Sequence, residues 1–257
     1  MRRVLAPVAL AAMFVVLVPP QGLAKSSAGR GLSPDPVQIK TDDGQELQGS
    51  FYKPVKSGTP GVVLVHDAGA DRTQLETIAE RLYKEGFGVL TIDLRGHGGS
   101  KTSKLDWAKL SENERKETWN AAAHDVSAAA AWVLDQPNIH STSLSLVAVG
   151  AGCTLAVRHA KSDENVVCMA LLGPDPDDYG FDLRSDIQML EGMPTYVVTS
   201  KDDVARIATD ANAATSGNPY VDLLKSPPKL ASPLEDKKLP NTVAKWMAEK
   251  AMPKRGR

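Results

Sequence analysis

Apolar and polar positions fall into two alternating periods along most of this chain. Residues 38–41 and 47–52 flank Asp42-Asp43-Gly44, a turn sequence, and predict a β-hairpin. Residues 61–66 form a continuous, largely β-branched run, as a strand buried on both faces requires. Asp71 with Gln74 three positions later predicts a helix start. Leu75, Ile78, Ala79 and Leu82 supply its apolar face, and Gly86 is placed to end it. A second strand follows over 88–93. Trp119, Ala122, Ala123, Val126, Ala130 and Val133 form one stripe of a long helix that stops near Pro137. Strands are then predicted over 144–150, 166–172, 194–200 and 220–224, with helices over 153–160 and 204–214. A final helix carries the stripe Val243, Trp246, Met247 and Ala251. Repeated strand–helix units predict the α/β class: a mostly parallel sheet flanked by helices. Functional residues then belong just past the C-terminal ends of the strands.

The first two dozen residues break this pattern. Arg2 and Arg3 precede an apolar run over 4–18, interrupted only by Pro7. Pro19-Pro20 ends it, and Gly22-Leu23-Ala24 resembles a cleavage site. The expectation is a signal peptide over 1–24 and export to the periplasm or the outside of the cell, with no membrane span after cleavage. An N-terminal anchor that is never cleaved is the alternative. Lys25, not a cysteine, follows the cut, so lipoprotein processing is not indicated. Residues 25–36, rich in Ser, Gly and Pro, read as a flexible leader, 37–251 as the folded domain, and 252–257 as a basic tail.

At 257 residues the chain suits one α/β domain and is short for two. A formal net charge of −1 carries no footprint for nucleic acid. Without Arg2 and Arg3, 28 basic residues face 31 acidic ones, a balance of −3. Cys153 and Cys168 are the only cysteines. Cys168 lies within an apolar run and Cys153 at a turn into a helix, so two free, buried thiols are expected rather than a disulfide. Neither CxxC nor HExxH occurs, and no metal or cofactor is expected.

One segment carries more than periodicity. Residues 64–100 read LVHDAGADRTQLETIAERLYKEGFGVLTIDLRGHGGS, ending in the strand-end pattern D-x-R-G-x-G-x-S from Asp93 to Ser100. This segment resembles a strand–helix–strand unit of the α/β-hydrolase family (esterases, lipases and dienelactone hydrolases), and the order of elements continues the resemblance to the C-terminus. The resemblance implies an α/β-hydrolase fold. Here its cap region, over 175–191, is short, so a shallow, open pocket is expected. It also implies a nucleophile on a sharp G-x-S-x-G turn, a late histidine base, an acid, and an oxyanion loop of His-Gly followed by small residues.

The chain departs from that pattern at its chemical centre. The strand over 144–150 runs into Gly150-Ala151-Gly152-Cys153-Thr154. With Gly150 as the first glycine, Gly152 takes the nucleophile position; with Gly152 as the second glycine, Gly150 takes it. Either way it is glycine, and no serine lies between Ser145 and Ser162. The histidines are His66, His97, His124, His140 and His159, so none lies in the 98 residues from Ala160 onward. The acid turn survives in form, with Asp203 the better match and Asp202 next. Without a histidine to orient, the expected role is a helix-capping aspartate. In the oxyanion loop, His66-Asp67-Ala68-Gly69-Ala70, Asp67 stands in place of a glycine. Its carboxylate either enters the pocket or turns outward to cap the loop. By the first register the oxyanion-loop equivalents are Asp67, Ala68 and Cys153.

Two functions follow as expectations. One is an exported, hydrolase-like protein without serine-hydrolase activity that binds a small molecule or an envelope protein. The alternative is an active hydrolase of esters or related acyl substrates, rebuilt around Cys153 with His97 or His66 as base.

Overall fold

A computed structural model describes residues 33–190, 192–215, 219–227 and 230–252. The predicted signal peptide, most of the leader and all but the first residue of the basic tail lie outside the described residues. β1 (Asp35–Lys40) and β2 (Glu46–Tyr52) pair antiparallel around the turn that Gly44 makes at φ 88°. β2 also runs antiparallel to β4 (Gly88–Ile92). From there β3 (Thr59–Val65), β5 (Ile139–Val149), β6 (Val166–Leu172), β7 (Thr195–Thr199) and β8 (Val221–Lys225) are all parallel. The eight strands lie in the order β1-β2-β4-β3-β5-β6-β7-β8.

The period-2 alternation divides the core. On β3, Val63 and Val65 enter one apolar cluster while Val62 and Leu64 enter the other. The second face is covered by α1 (Glu76–Glu85) and α7 (Leu239–Ala251), through residues such as Ile78, Leu82, Val243 and Met247. The first face is covered by α3 (Ala123–Leu134), α4 (Gly152–Ala160), α5 (Leu183–Gln188) and α6 (Asp202–Ala213). All seven residues of β3 are buried, consistent with helices on both faces.

Two elements differ from the sequence expectation. The long helix is two: α2 (Glu112–Ala121) ends and α3 begins around Ala122, whose ψ of −8° breaks the turn. α2 has its own start signal, a capping box between Ser111 and Glu114. The cap region holds the short α5, whose first amides, of Arg184 and Ser185, donate to Asp182.

Ahead of α1, Asp71 accepts from the Thr73 N–H, and Gly86 closes α1 in the left-handed region at φ 102°. The glycine-rich loop after β4 is a structural hub. Buried Asp93 accepts from the Arg72 and Gly99 amides and pairs with the Arg72 guanidinium. A side chain at Gly98, which sits at φ 46°, would overlap that carboxylate. Arg95 is buried between Asp125 on α3 (2.7 Å) and Asp43 in the hairpin turn (2.7 Å). Ser100 donates to the Asp93 carbonyl and accepts from the Gln48 N–H. The D-x-R-G-x-G-x-S pattern is therefore accounted for by joining β4 to the hairpin and to α3.

Candidate active site

The site lies at the C-terminal ends of β3, β5, β6 and β7. β5 ends at Val149 and α4 begins at Gly152, so two residues make the turn. Gly150 carries φ 54°, the left-handed conformation that a strained strand–helix elbow needs. Gly152 is instead the first residue of α4. A Cβ there would lie 2.5 Å from the His66 carbonyl oxygen and 3.0 Å from that of Val65. It is glycine because the helix passes close to β3. The register that puts Gly152 at the nucleophile position is thus corrected: the residue at the apex of the elbow is Gly150, with Gly152 as the second glycine. The amide next to the apex accordingly belongs to Ala151, not Cys153, whose N–H bonds to the Gly150 carbonyl (3.1 Å).

Asp67 points inward. Its Oδ1 accepts from the Ala68 N–H and from the Ala151 N–H, both at 2.8 Å. The Asp67 N–H donates to Gln74 Oε1 (2.9 Å), which holds the loop in this orientation. A Cβ on Gly150 would overlap the Asp67 carboxylate. The carboxylate therefore fills the space that a side chain at the apex would need. It also occupies two convergent backbone donors at the distance expected for an oxyanion.

The sequence candidates for a base do not face this point with a free nitrogen. His66 is buried, donates from Nδ1 to the Asp67 carbonyl (2.7 Å) and accepts at Nε2 from the Leu94 N–H (3.0 Å). Burial lowers its pKa to about 4. His97 does the same between the Arg95 carbonyl (2.9 Å) and the Gly69 N–H (3.1 Å), and burial lowers its pKa as well. Both rings are neutral, and both nitrogens of each are spent on backbone. His124 is exposed and bonds Asp42, His140 is exposed on β5, and His159 is paired with Asp163.

Cys153 fares no better as a nucleophile. It is fully buried within the core face of α4, and burial pushes its thiol well above the usual range, away from the thiolate. The rebuilt site of Cys153 with His97 or His66 is therefore corrected: the three groups are packed into the scaffold. Cys168 is likewise buried and free, its pKa raised to about 11 by burial. Asp203 lies exposed in the first turn of α6, with its carboxylate on the Val204 N–H (2.8 Å), and does not line the cleft.

The cleft over the elbow has a volume of about 270 Å³ and is polar. Asp67, Gly150 and Ala151 form its floor, with Asp175, Asp178 and Lys201 around it. Lys201 pairs with Asp175. Asp178 is half-buried, and burial, reinforced by the charges of Asp175 and Asp67, raises its pKa to about 6. Sequence inspection missed Asp175, Asp178 and Lys201 as cleft residues; the only local hint is the acidic run Asp175-Pro176-Asp177-Asp178. Among the described residues, the one His/Asp group able to converge on a cation is Asp42, Asp43 and His124 in the exposed hairpin region. There Arg95 already neutralises Asp43 and holds its carboxyl at about 2.

The fold is shared with solved hydrolases. An esterase of Pyrococcus furiosus superposes with a TM-score of 0.66 at 16% identity, over 86% of this chain and 92% of that one. A dienelactone hydrolase from Anabaena variabilis gives 0.65 at 20% identity, over 86% and 98%. A cold-adapted esterase from an Arctic intertidal metagenomic library gives 0.64 at 16% identity, over 88% and 98%. At such identities the likeness speaks for the fold alone. No curated protein sequence matches the chain. The model of the alpha/beta hydrolase family matches residues 62–252, most of the chain, and the protein belongs to that family.

Proposed function

We propose that this protein is an exported member of the alpha/beta hydrolase family without serine-hydrolase activity, whose cleft serves to bind a small molecule or an envelope protein. One observation carries the proposal. The apex of the elbow is Gly150, and the Asp67 carboxylate takes both the space of a nucleophile and the amides that would stabilise an oxyanion. Nucleophilic acyl transfer needs an attacking atom, a base to activate it and donors for the developing charge. Gly150 has no such atom, and a fixed carboxylate at the donors repels a second negative charge. Export is supported by the residue pattern over 1–24, and among the described residues no helix is long and apolar enough to cross a membrane.

The test is turnover of short-chain p-nitrophenyl esters by the purified protein. The expected rate equals that of buffer. Saturable hydrolysis that survives repurification, and is lost on unfolding, would overturn the proposal. Binding, as distinct from inactivity, is tested by thermal-shift screening of neutral and cationic small molecules, with pull-down from envelope extract for protein partners. A protein that neither gains stability with any compound nor retains a partner would leave the cleft without the binding role.

A further inference from the structure

The segment that follows β6 borders the cleft and is tied down unevenly. At its start the Gly173 N–H donates to the Val198 carbonyl (2.7 Å). At its far end Phe181 and Leu183 are buried, with the Arg158 guanidinium 3.9 Å over the Phe181 ring. Between these anchors one ring reaches across. Tyr179 packs against Trp119 of α2 and against Trp107, with centroids 5.4 Å and 5.6 Å away. Trp107 in turn abuts Gly69, in the loop that carries Asp67. The grip is imperfect. Tyr179 sits at φ 50°, in the left-handed region that a bulky side chain disfavours. The Trp119 indole Nε1–H is fully buried and has no acceptor among the described residues, a costly state for a donor.

Asp178, next to Tyr179, lines the cleft half-buried. It feels the charges of Asp67 in the β3 loop and of Asp175 and Asp177 in its own segment. Lys201, the cation beside it, already pairs with Asp175. The other groups around the latch keep their charge between pH 5 and pH 7.5. Arg115, 5.6 Å over Trp107, stays a cation, His97 packs on Trp107 as a neutral ring, and burial holds the Tyr179 phenol protonated.

We propose that segment 173–182 is a strap along the cleft, latched by Tyr179 on Trp107 and Trp119 and released when Asp178 loses its proton. Protonated Asp178 is neutral and stays half-buried. Ionised, it is repelled by Asp67 and Asp175 and swings toward water, drawing Tyr179 off the two indoles. Gly180, at φ 86°, gives the backbone room to turn beside it. Burial and the two neighbouring carboxylates raise the Asp178 pKa to about 6, against about 4 for a solvated aspartate in the open strap. Closing is therefore favoured most below about pH 4 and weakens as pH rises through 6. The closing equilibrium falls by at most about 100-fold, and by about five- to tenfold after solvent screening. The strap is a property of the cap geometry and stands whether or not the cleft binds a ligand.

The experiment is hydrogen exchange of the Trp119 indole Nε1–H in the ¹⁵N-labelled full chain at pH 5 and pH 7.5, corrected for the intrinsic rate at each pH. Without an acceptor, this proton is protected by burial alone. In the unaltered protein its protection falls about five- to tenfold from pH 5 to pH 7.5. In Asp178→Asn it is the same at both. In Tyr179→Ala it is low at both, while Tyr179→Phe behaves as the unaltered protein does. At each pH the β3 amides exchange more slowly than the indole, because the strap opens with the sheet intact. Protection that ignores pH in the unaltered protein, or that still falls in Asp178→Asn, would overturn the proposal. So would full protection in Tyr179→Ala, or an indole that exchanges no faster than β3, the mark of global unfolding. Tyr179→Gly, which also relieves the left-handed backbone, is read in the same way should the alanine variant fail to fold.

Discussion

Gly150 and Asp67 are adjusted to each other, and a double-mutant cycle measures by how much. Gly150→Ser places a side chain at φ 54°, which costs about 1–2 kcal/mol. It also expels the Asp67 carboxylate from the Ala68 and Ala151 amides. Losing charge-assisted bonds in a cleft that water can enter costs about 2 kcal/mol. The single variant is therefore destabilised by about 3–4 kcal/mol. Asp67→Gly loses the same bonds, about 2 kcal/mol, and gains backbone freedom in the unfolded chain worth about 0.5–1 kcal/mol. In the double variant the bonds are lost once, not twice. Its destabilisation falls short of the sum of the singles by about 2 kcal/mol, within the range seen for residues in contact. Urea unfolding followed by circular dichroism gives all four stabilities. Additivity within about 0.5 kcal/mol would refute the claim that the carboxylate occupies the side-chain space of the apex.

Three further outcomes follow from the same geometry. Cys153, buried with its thiol pushed up, resists iodoacetamide at pH 7.5 in the native protein and reacts fully in denaturant; native labelling at a free-thiol rate would show that α4 leaves it accessible. Asp178 holds a proton up to about pH 6 when folded, whereas the unfolded chain releases it near pH 4. Its contribution to stability is thus full below about pH 4 and is lost as pH rises through 6. Asp178→Asn should then stabilise the protein at pH 7.5 by about 1 kcal/mol after solvent screening, and leave it unchanged at pH 3.5, provided the fold survives there. Gly150→Ser alone yields no esterase activity, since both nitrogens of His66 and of His97 are engaged by the backbone; ester turnover by that variant would reveal a base elsewhere.

The strands were legible because most are short apolar runs ended by glycine, proline or a polar turn, and six of the eight lie within a residue or two of their predicted spans. β1 and β5 both start earlier than predicted: β1 begins at Asp35, three residues ahead, and Ile139 to Ser143 join β5 although His140, Ser141 and Thr142 are exposed there. The break between α2 and α3 was hidden because the apolar stripe runs through Ala122 without a glycine or proline. α5, six residues long, offers too little periodicity to read. The site was legible as a set of absences and one substitution, Asp67 in place of an oxyanion-loop glycine, whose direction the sequence left open. That no serine or late histidine exists is a property of the sequence itself. Which glycine forms the apex was not, because both registers are glycine and only φ distinguishes them. The partner of Asp67 is 84 residues away, and the backbone amides that occupy His66 and His97 are 28 residues away, beyond any local pattern.

The elbow carries glycine at its apex, and by the proposed function no other group has replaced the nucleophile. Incubation with a fluorophosphonate probe, followed by intact-mass spectrometry, tests this most directly. The unmodified mass is expected after prolonged exposure, identical to that of a heat-denatured control. A stoichiometric adduct that forms only on the folded protein, mapped to any residue lining the cleft, would contradict it.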